Sequence, residues 1–159
     1  WRAVQSRMGV LLAQPGLLDD LTLSENVAFK LRRDGVTEED IRVRVTRVLD
    51  EFGLRAAADK LPSELSGGMR RRGALARALV HEPSCLLLDD PTAGLDPITT
   101  NRVLSFILDA ARARRASVVL TTHDLNHVAH RADAVLVLRQ QKLVLLERDP
   151  VRWARELGA

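Results

Sequence analysis

The sequence predicts an α/β domain built around a parallel sheet, on three observations. The apolar run Cys85-Leu86-Leu87-Leu88 ends in Asp89-Asp90. Such a run suits a strand covered on both faces, and acids just past its carboxyl end stand where α/β sheets bind ligands. A second run, Ser117-Val118-Val119-Leu120, ends in Thr121-Thr122-His123-Asp124. Upstream of both, Ser66-Gly67-Gly68 opens into an Arg/Ala-rich stretch of helix formers, where unpaired N–H groups and the helix dipole suit an anion. An anion site together with paired acids implies phosphate and a metal.

The elements follow in order. Residues 7–12, Arg7-Met8-Gly9-Val10-Leu11-Leu12, read as a short strand that delivers Gln14 into a Pro15-Gly16 turn. Residues 24–33 and 38–52 read as helices. Thr37 caps the second, Glu38, Glu39 and Asp40 complement its dipole, and Gly53 ends it. Its stripe of Ile41, Val45, Val48, Leu49 and Phe52 is core. A helix from Gly68 to Leu79 follows, stopped by His81-Glu82-Pro83. Asp96-Pro97 opens another over 98–113 with Val103, Leu104, Ile107 and Leu108 inward, and the 117–120 run is a third buried strand. Strands at 133–138 and 142–146 and a helix near 150–157 complete the chain.

Composition excludes several classes. With 159 residues and 46% hydrophobic content, one domain with a real core is possible. The net charge of +3 comes from 24 basic residues scattered among 21 acids, and 3% aromatic content leaves little to stack bases. Arg70-Arg71-Arg72 spreads around a helix as a solvated face, so no nucleic acid is expected. Cys85 is the single cysteine, a small core residue in a reducing compartment. No apolar run approaches about 18 residues and no signal peptide opens the chain, so nothing is expected to span a membrane.

The ordered set of Gln14, Leu65-Ser66-Gly67-Gly68, a strand ending at Asp89, Ala93-Gly94-Leu95-Asp96 and Thr121-Thr122-His123-Asp124 resembles the nucleotide-binding subunit of ABC ATPases. The stretch Leu21-Thr22-Leu23-Ser24-Glu25-Asn26-Val27 is similar to one that commonly follows the Gln in that family. The resemblance implies a P-loop NTPase (RecA-like) core, residues 1–23 and 84–159, with an inserted helical subdomain over 24–83. It implies ATP and magnesium as cofactors. Asp89 would hold magnesium through water, and Gln14 would touch the metal and the attacking water. Asp90 stands where the family normally carries the Glu that polarises that water, and His123 resembles the histidine that contacts the γ-phosphate. The remaining histidines, His81, His127 and His130, have no such frame and read as surface residues.

Ser66, Gly67 and Gly68 would close over ATP held by a second ATPase subunit stacked head to tail, with Asp96 communicating across the interface. Transmembrane permease subunits would dock around 15–33, placing the protein at the cytoplasmic face of the membrane. Nothing here reads Gly-x-x-x-x-Gly-Lys-Ser/Thr; the lysines are Lys30, Lys60 and Lys142. The chain, which begins at Trp1, is therefore expected to be an amino-truncated piece that cannot hydrolyse ATP alone. A phosphate-loop strand would lie between the 117–121 and 133–138 strands. Pro62-Ser63-Glu64-Leu65-Ser66-Gly67-Gly68-Met69 and Gly94-Leu95-Asp96-Pro97-Ile98-Thr99 look most like the ATPase of Mla/Mce-type phospholipid transporters. The alternatives are an importer of amino acids or other small solutes and a weakly catalytic regulatory subunit. An ABC ATPase of DNA repair would bring heptads or zinc cysteines, which this sequence lacks.

Overall fold

The structure, a computed structural model, describes residues 7–124, 127–128, 131–139 and 141–146. They belong to two compact units dividing after Thr121. The first unit holds a three-stranded parallel sheet in the order β1 (Met8–Leu11), β2 (Cys85–Asp89), β3 (Ser117–Thr121). Its helices are α1 (Leu23–Arg33), α2 (Glu38–Glu51), α3 (Gly67–Leu79) and α4 (Pro97–Arg114). The second unit holds an antiparallel pair, β4 (Val135–Arg139) and β5 (Lys142–Leu146), with Val135 opposite Leu146 and Arg139 opposite Lys142. The helix expected near 150–157 lies outside the described residues. Among the described residues no helix is long and apolar enough to cross a membrane.

Local chemistry explains the helix ends. Thr22 and Glu25 form a reciprocal capping box at the start of α1, and the Thr37 hydroxyl accepts from the Asp40 amide at the start of α2. Beyond α2, Gly53 takes φ +63°, and Leu54 N–H closes back on the Leu49 carbonyl at 2.8 Å. Ile41, Val45, Val48, Leu49 and Phe52 are all buried as expected. In α4 the inward set is Val103, Leu104, Ile107, Ala110 and Ala111, whereas Leu108 is only half-buried.

Register sorts the strands into two faces. Gly9, Leu86 and Val118 align across the sheet, as do Leu11, Leu88 and Leu120, and this face joins α3 and α4 in one core. The opposite face carries Val10, Leu87 and Val119 in register, with Val10 45% and Val119 59% exposed. The expectation that 85–88 and 117–120 are buried on both faces is thus corrected. Among the described residues of the first unit, helices pack on one side of the sheet, and β3 is bonded to β2 alone. Cys85 accordingly lies half-buried on the second face.

β1 packs directly on α3. A Cβ at Gly9 would collide with the Ala78 backbone carbonyl and stand 2.7 Å from Leu86 Cδ2, whereas one at Gly67 meets open space. Gly9→Ala should therefore lower unfolding stability by about 3 kcal/mol in urea titration, as overpacking against backbone does. Gly67→Ala should leave the midpoint within experimental scatter of the parent.

Several titratable groups are displaced by folding. Hydrogen bonds hold four carboxyls below their ordinary values: Glu25 through the Thr22 amide and hydroxyl, Asp34 through Lys30, Glu38 through Arg32, and Asp96 through Thr99. His81, expected at the surface, is half-buried with Nε2 3.0 Å from the Met8 carbonyl; burial and then Lys30 push its pKa down. A lowered carboxyl contributes stability that is present above its unfolded value, 3.8 for Asp or 4.5 for Glu, and is lost as pH falls through the native value. For His81 the unfolded chain takes up the proton first once pH drops below 6.5, so stability is lost in the same direction. The melting temperature should be constant above about pH 7, fall below about 6.5 and fall faster below about 4.5. Calorimetry across this range checks it, and His81→Gln should erase the first phase while sparing the second.

Candidate functional site

The parallel register sets Asp89 beside Thr121 at the carboxyl ends of β2 and β3. The Thr121 hydroxyl donates to Asp89 Oδ1 at 2.6 Å and accepts from the Asp90 amide at 3.1 Å. That amide also reaches the Thr121 carbonyl at 3.1 Å. Asp89 is exposed and Asp90 half-buried. Here the chain must leave the strand abruptly, and Asp90 does so at φ +46°, a left-handed conformation that Asp tolerates better than most residues. The turn continues with the Ala93 amide on the Asp90 carbonyl at 3.2 Å.

The glycine turn is built as expected. Pro62 and Leu65 are buried, and Ser66 caps α3 by accepting from the Met69 amide at 3.2 Å. That bond satisfies the third helical N–H and leaves those of Gly67 and Gly68 at the helix start, the two amides an anion would use. A Cβ on Gly68 would touch only Leu95 Cδ2 at 3.7 Å, so the turn and the 93–96 loop lie against each other. In that loop Gly94 has φ +71°. Asp96 caps α4 with one carboxylate oxygen, accepting from the Ile98 amide at 3.1 Å and the Thr99 amide at 3.0 Å.

Gln14 is exposed on the segment leaving β1, and the carbonyls around it are held from α3. Arg71 Nη1 donates to Ala13 O at 3.0 Å, while Arg77 donates to Gly16 O at 2.8 Å and Pro15 O at 3.2 Å. Further along, the fully buried Asn26 amide accepts from Leu18 N and donates to the carbonyls of Leu18, Leu21 and Thr22. The expected solvated Arg70-Arg71-Arg72 face is corrected. Arg71 is 7% exposed, Arg70 donates to Leu65 O at 2.6 Å, and Arg72 donates to Phe52 O at 2.8 Å. Loop carbonyls need donors, and the tripeptide supplies them.

The first unit thus brings Asp89, Asp90 and Thr121 together, sets Gly68 against Leu95, and links the Gln14 segment to the acid turn through Arg71. His123 lies in the second unit, exposed, in a turn where the Thr122 hydroxyl accepts from the Asp124 amide at 3.0 Å. His127, in the same unit, is half-buried with Nε2 3.4 Å from Asp124 Oδ2, and His130 lies outside the described residues. Thr121, Arg71 and Arg77 were missed as site residues. Only Thr121 left a signal, as the last residue of a strand neighbouring the one that ends in Asp89. No cluster of three or more His, Cys, Asp or Glu side chains forms a metal cage among the described residues.

These features define a class: an α/β domain with a Ser-capped glycine turn opening a helix and an acid pair at the end of a parallel strand. The family model for ABC transporters matches residues 1–93, and the chain belongs to that family. It is similar to a methionine import ATP-binding protein, MetN, of Streptococcus pneumoniae, 36% identical over 143 residues, 90% of this chain and 40% of that protein. It is also similar to an aliphatic sulfonates import ATP-binding protein, SsuB 2, of Burkholderia lata, 41% identical over 83% of this chain and 47% of that protein. Among solved structures it resembles the ATP-binding cassette MJ0796, described as a dimer in a post-hydrolysis state bound to ADP and Pi. The TM-score is 0.83 at 28% identity, over 90% of this chain and 63% of the other. The fold is therefore the P-loop NTPase fold of ABC ATPases, and the chain spans less than half the length of these two curated relatives.

The Thr121 hydroxyl bonds the Asp89 carboxylate and the Asp90 amide at once. Thr121→Val should cost about 1 kcal/mol in urea unfolding, the usual worth of such hydrogen bonds, and Thr121→Ser should recover most of it.

Proposed function

We propose that the complete subunit to which this chain belongs binds and hydrolyses ATP with magnesium, as the ATPase of an ABC importer for small solutes. The observation that carries the reading is the Asp89-Asp90-Thr121 cluster at the ends of two parallel strands. The donors fit magnesium. Among the described residues only Oδ1 of the exposed Asp89 is engaged, and a single hard oxygen ligand suits a cation that keeps most of its water and phosphate ligands. Asp89 and Gln14 would hold the ion, which supplies charge neutralisation at the phosphates.

The chain's own residues then divide the remaining work of phosphoryl transfer, which is mostly positioning. Asp90 accepts the proton of the attacking water, and His123 contacts the γ-phosphate. Ser66, Gly67 and Gly68 present their helix start to nucleotide held by a second ATPase subunit stacked head to tail, with Asp96 at that interface. Residues 24–83 serve as the helical subdomain, flanked by core segments 1–23 and 84–159. Permease subunits dock on the 15–33 region, at the cytoplasmic face of the membrane. No nucleic acid enters this scheme.

The importer reading draws its support from the relatives, whose names are those of methionine and sulfonate importers. Phospholipid transport rests on the motif likeness over Pro62–Met69 and Gly94–Thr99 alone, and none of the relatives named above bears it out. A regulatory role draws on Asp90 in place of Glu.

Losing one methylene withdraws the carboxylate by about an ångström, and misplacement on that scale costs up to about 10²-fold in rate. In the complete subunit, Asp90→Glu should raise kcat about 10- to 100-fold with the KM for ATP within about threefold, equivalent to about 1.4–2.7 kcal/mol of transition-state stabilisation. Steady-state ATPase assays decide it. An unchanged kcat would remove Asp90 as the base.

A further inference from the structure

Arg71 is a buried cation whose ligands are all backbone carbonyls. Nε donates to Pro91 O at 3.2 Å, Nη1 to Ala13 O at 3.0 Å, and Nη2 to Asp89 O at 3.2 Å and to Asp90 O. Four of the five guanidinium N–H donors are used. Among the described residues Arg71 forms no ion pair. Burying a charge is costly unless polar atoms replace water around it, so the carbonyl fan is a requirement of the site and not an accident of packing.

The fan joins three separate segments. Ala13 immediately precedes Gln14, Asp89 to Pro91 carry both acids, and Arg71 itself lies on the helix whose first residues are Gly67 and Gly68. The left-handed turn at Asp90 aims two successive carbonyls, those of Asp89 and Asp90, at one nitrogen, Nη2. The side chains of Asp90 and Gln14 point from backbone that Arg71 holds.

We propose that Arg71 is a positioning residue for hydrolysis, fixing the Asp90 turn and the Gln14 segment relative to the glycine turn of α3. The role rests on the reading of Asp90 as the base. Neither Gln nor Lys presents the planar five-donor fork, so neither restores the node.

The test uses the complete ATPase with Arg71→Gln, Arg72→Gln and Asp90→Asn. Arg72 donates to the Phe52 carbonyl outside the node and controls for general loss of an arginine-to-carbonyl bond. Arg71→Gln should lower kcat at least tenfold with KM for ATP within threefold. Without nucleotide, it should also speed amide hydrogen exchange at least tenfold at Asp90 and Ala93, whose N–H groups bond Thr121 O and Asp90 O. Arg72→Gln should do neither. If Arg71→Gln does not fold, Arg71→Lys is measured against the same expectations. A kcat within threefold of the parent, unchanged exchange at both amides, or an equal kcat loss in Arg72→Gln overturns the proposal. Full hydrolysis by Asp90→Asn overturns the base assignment instead, and the exchange data keep the two failures apart.

Discussion

One buried guanidinium ties the first unit together. Arg71 can be buried only because four carbonyls replace its water, and those carbonyls come from the end of β1 and the turn after β2. The segments cannot move independently without stranding a charge. The β1–β2–β3 register brings the strand ends to one level, and the arginine then fixes how the chain departs from two of them. Arg77, six residues on, repeats the device on Pro15 and Gly16. Helix α3 thus acts as a rod carrying cations whose outer end is the glycine turn.

Close approach makes this possible. β1 lies so near α3 that only hydrogen fits at Gly9 beside the Ala78 carbonyl, and the small, buried Ala78 keeps the helix surface low there. A bulkier interface would hold the helix further from the sheet, beyond the reach of Arg71 to Asp89. Small residues in α3 are readable in the sequence as helix formers. Their role in setting the helix-to-sheet distance emerges only when the strand register is known.

Much of the fold was legible for a simple reason: capping, periodicity and apolar runs are local signals. Thr37, Ser66 and Asp96 cap the helices they precede, and the five-residue stripe of α2 is buried throughout. The misreadings share a different cause. The apolar runs of β2 and β3 suggested burial on both faces, but sequence alone cannot say which partners are present to cover a face, and Val10 and Val119 remain exposed. Arg71 read as a solvated helix face because its ligands lie 18 to 58 residues away and are carbonyls, which every residue possesses. His81 was misjudged likewise, its Met8 contact spanning 73 residues. The acids, by contrast, announced themselves through position at a strand end.

Residue 90 answers to two demands that pull apart. The turn after β2 places it at φ +46°, where a short polar side chain is tolerated and a longer one gains nothing locally. The proposed role as base favours a longer reach, the Glu to which the family resemblance points. A left-handed non-glycine residue costs about 1–2 kcal/mol, comparable to the rate effect proposed above for one methylene. The carbonyls that this conformation aims at Arg71 return part of that cost, since without the turn the guanidinium would lose a ligand. The same backbone that makes the arginine node possible therefore favours the shorter acid. The conformation of the turn and the length of the side chain at residue 90 are one constraint, shared with a cation on α3.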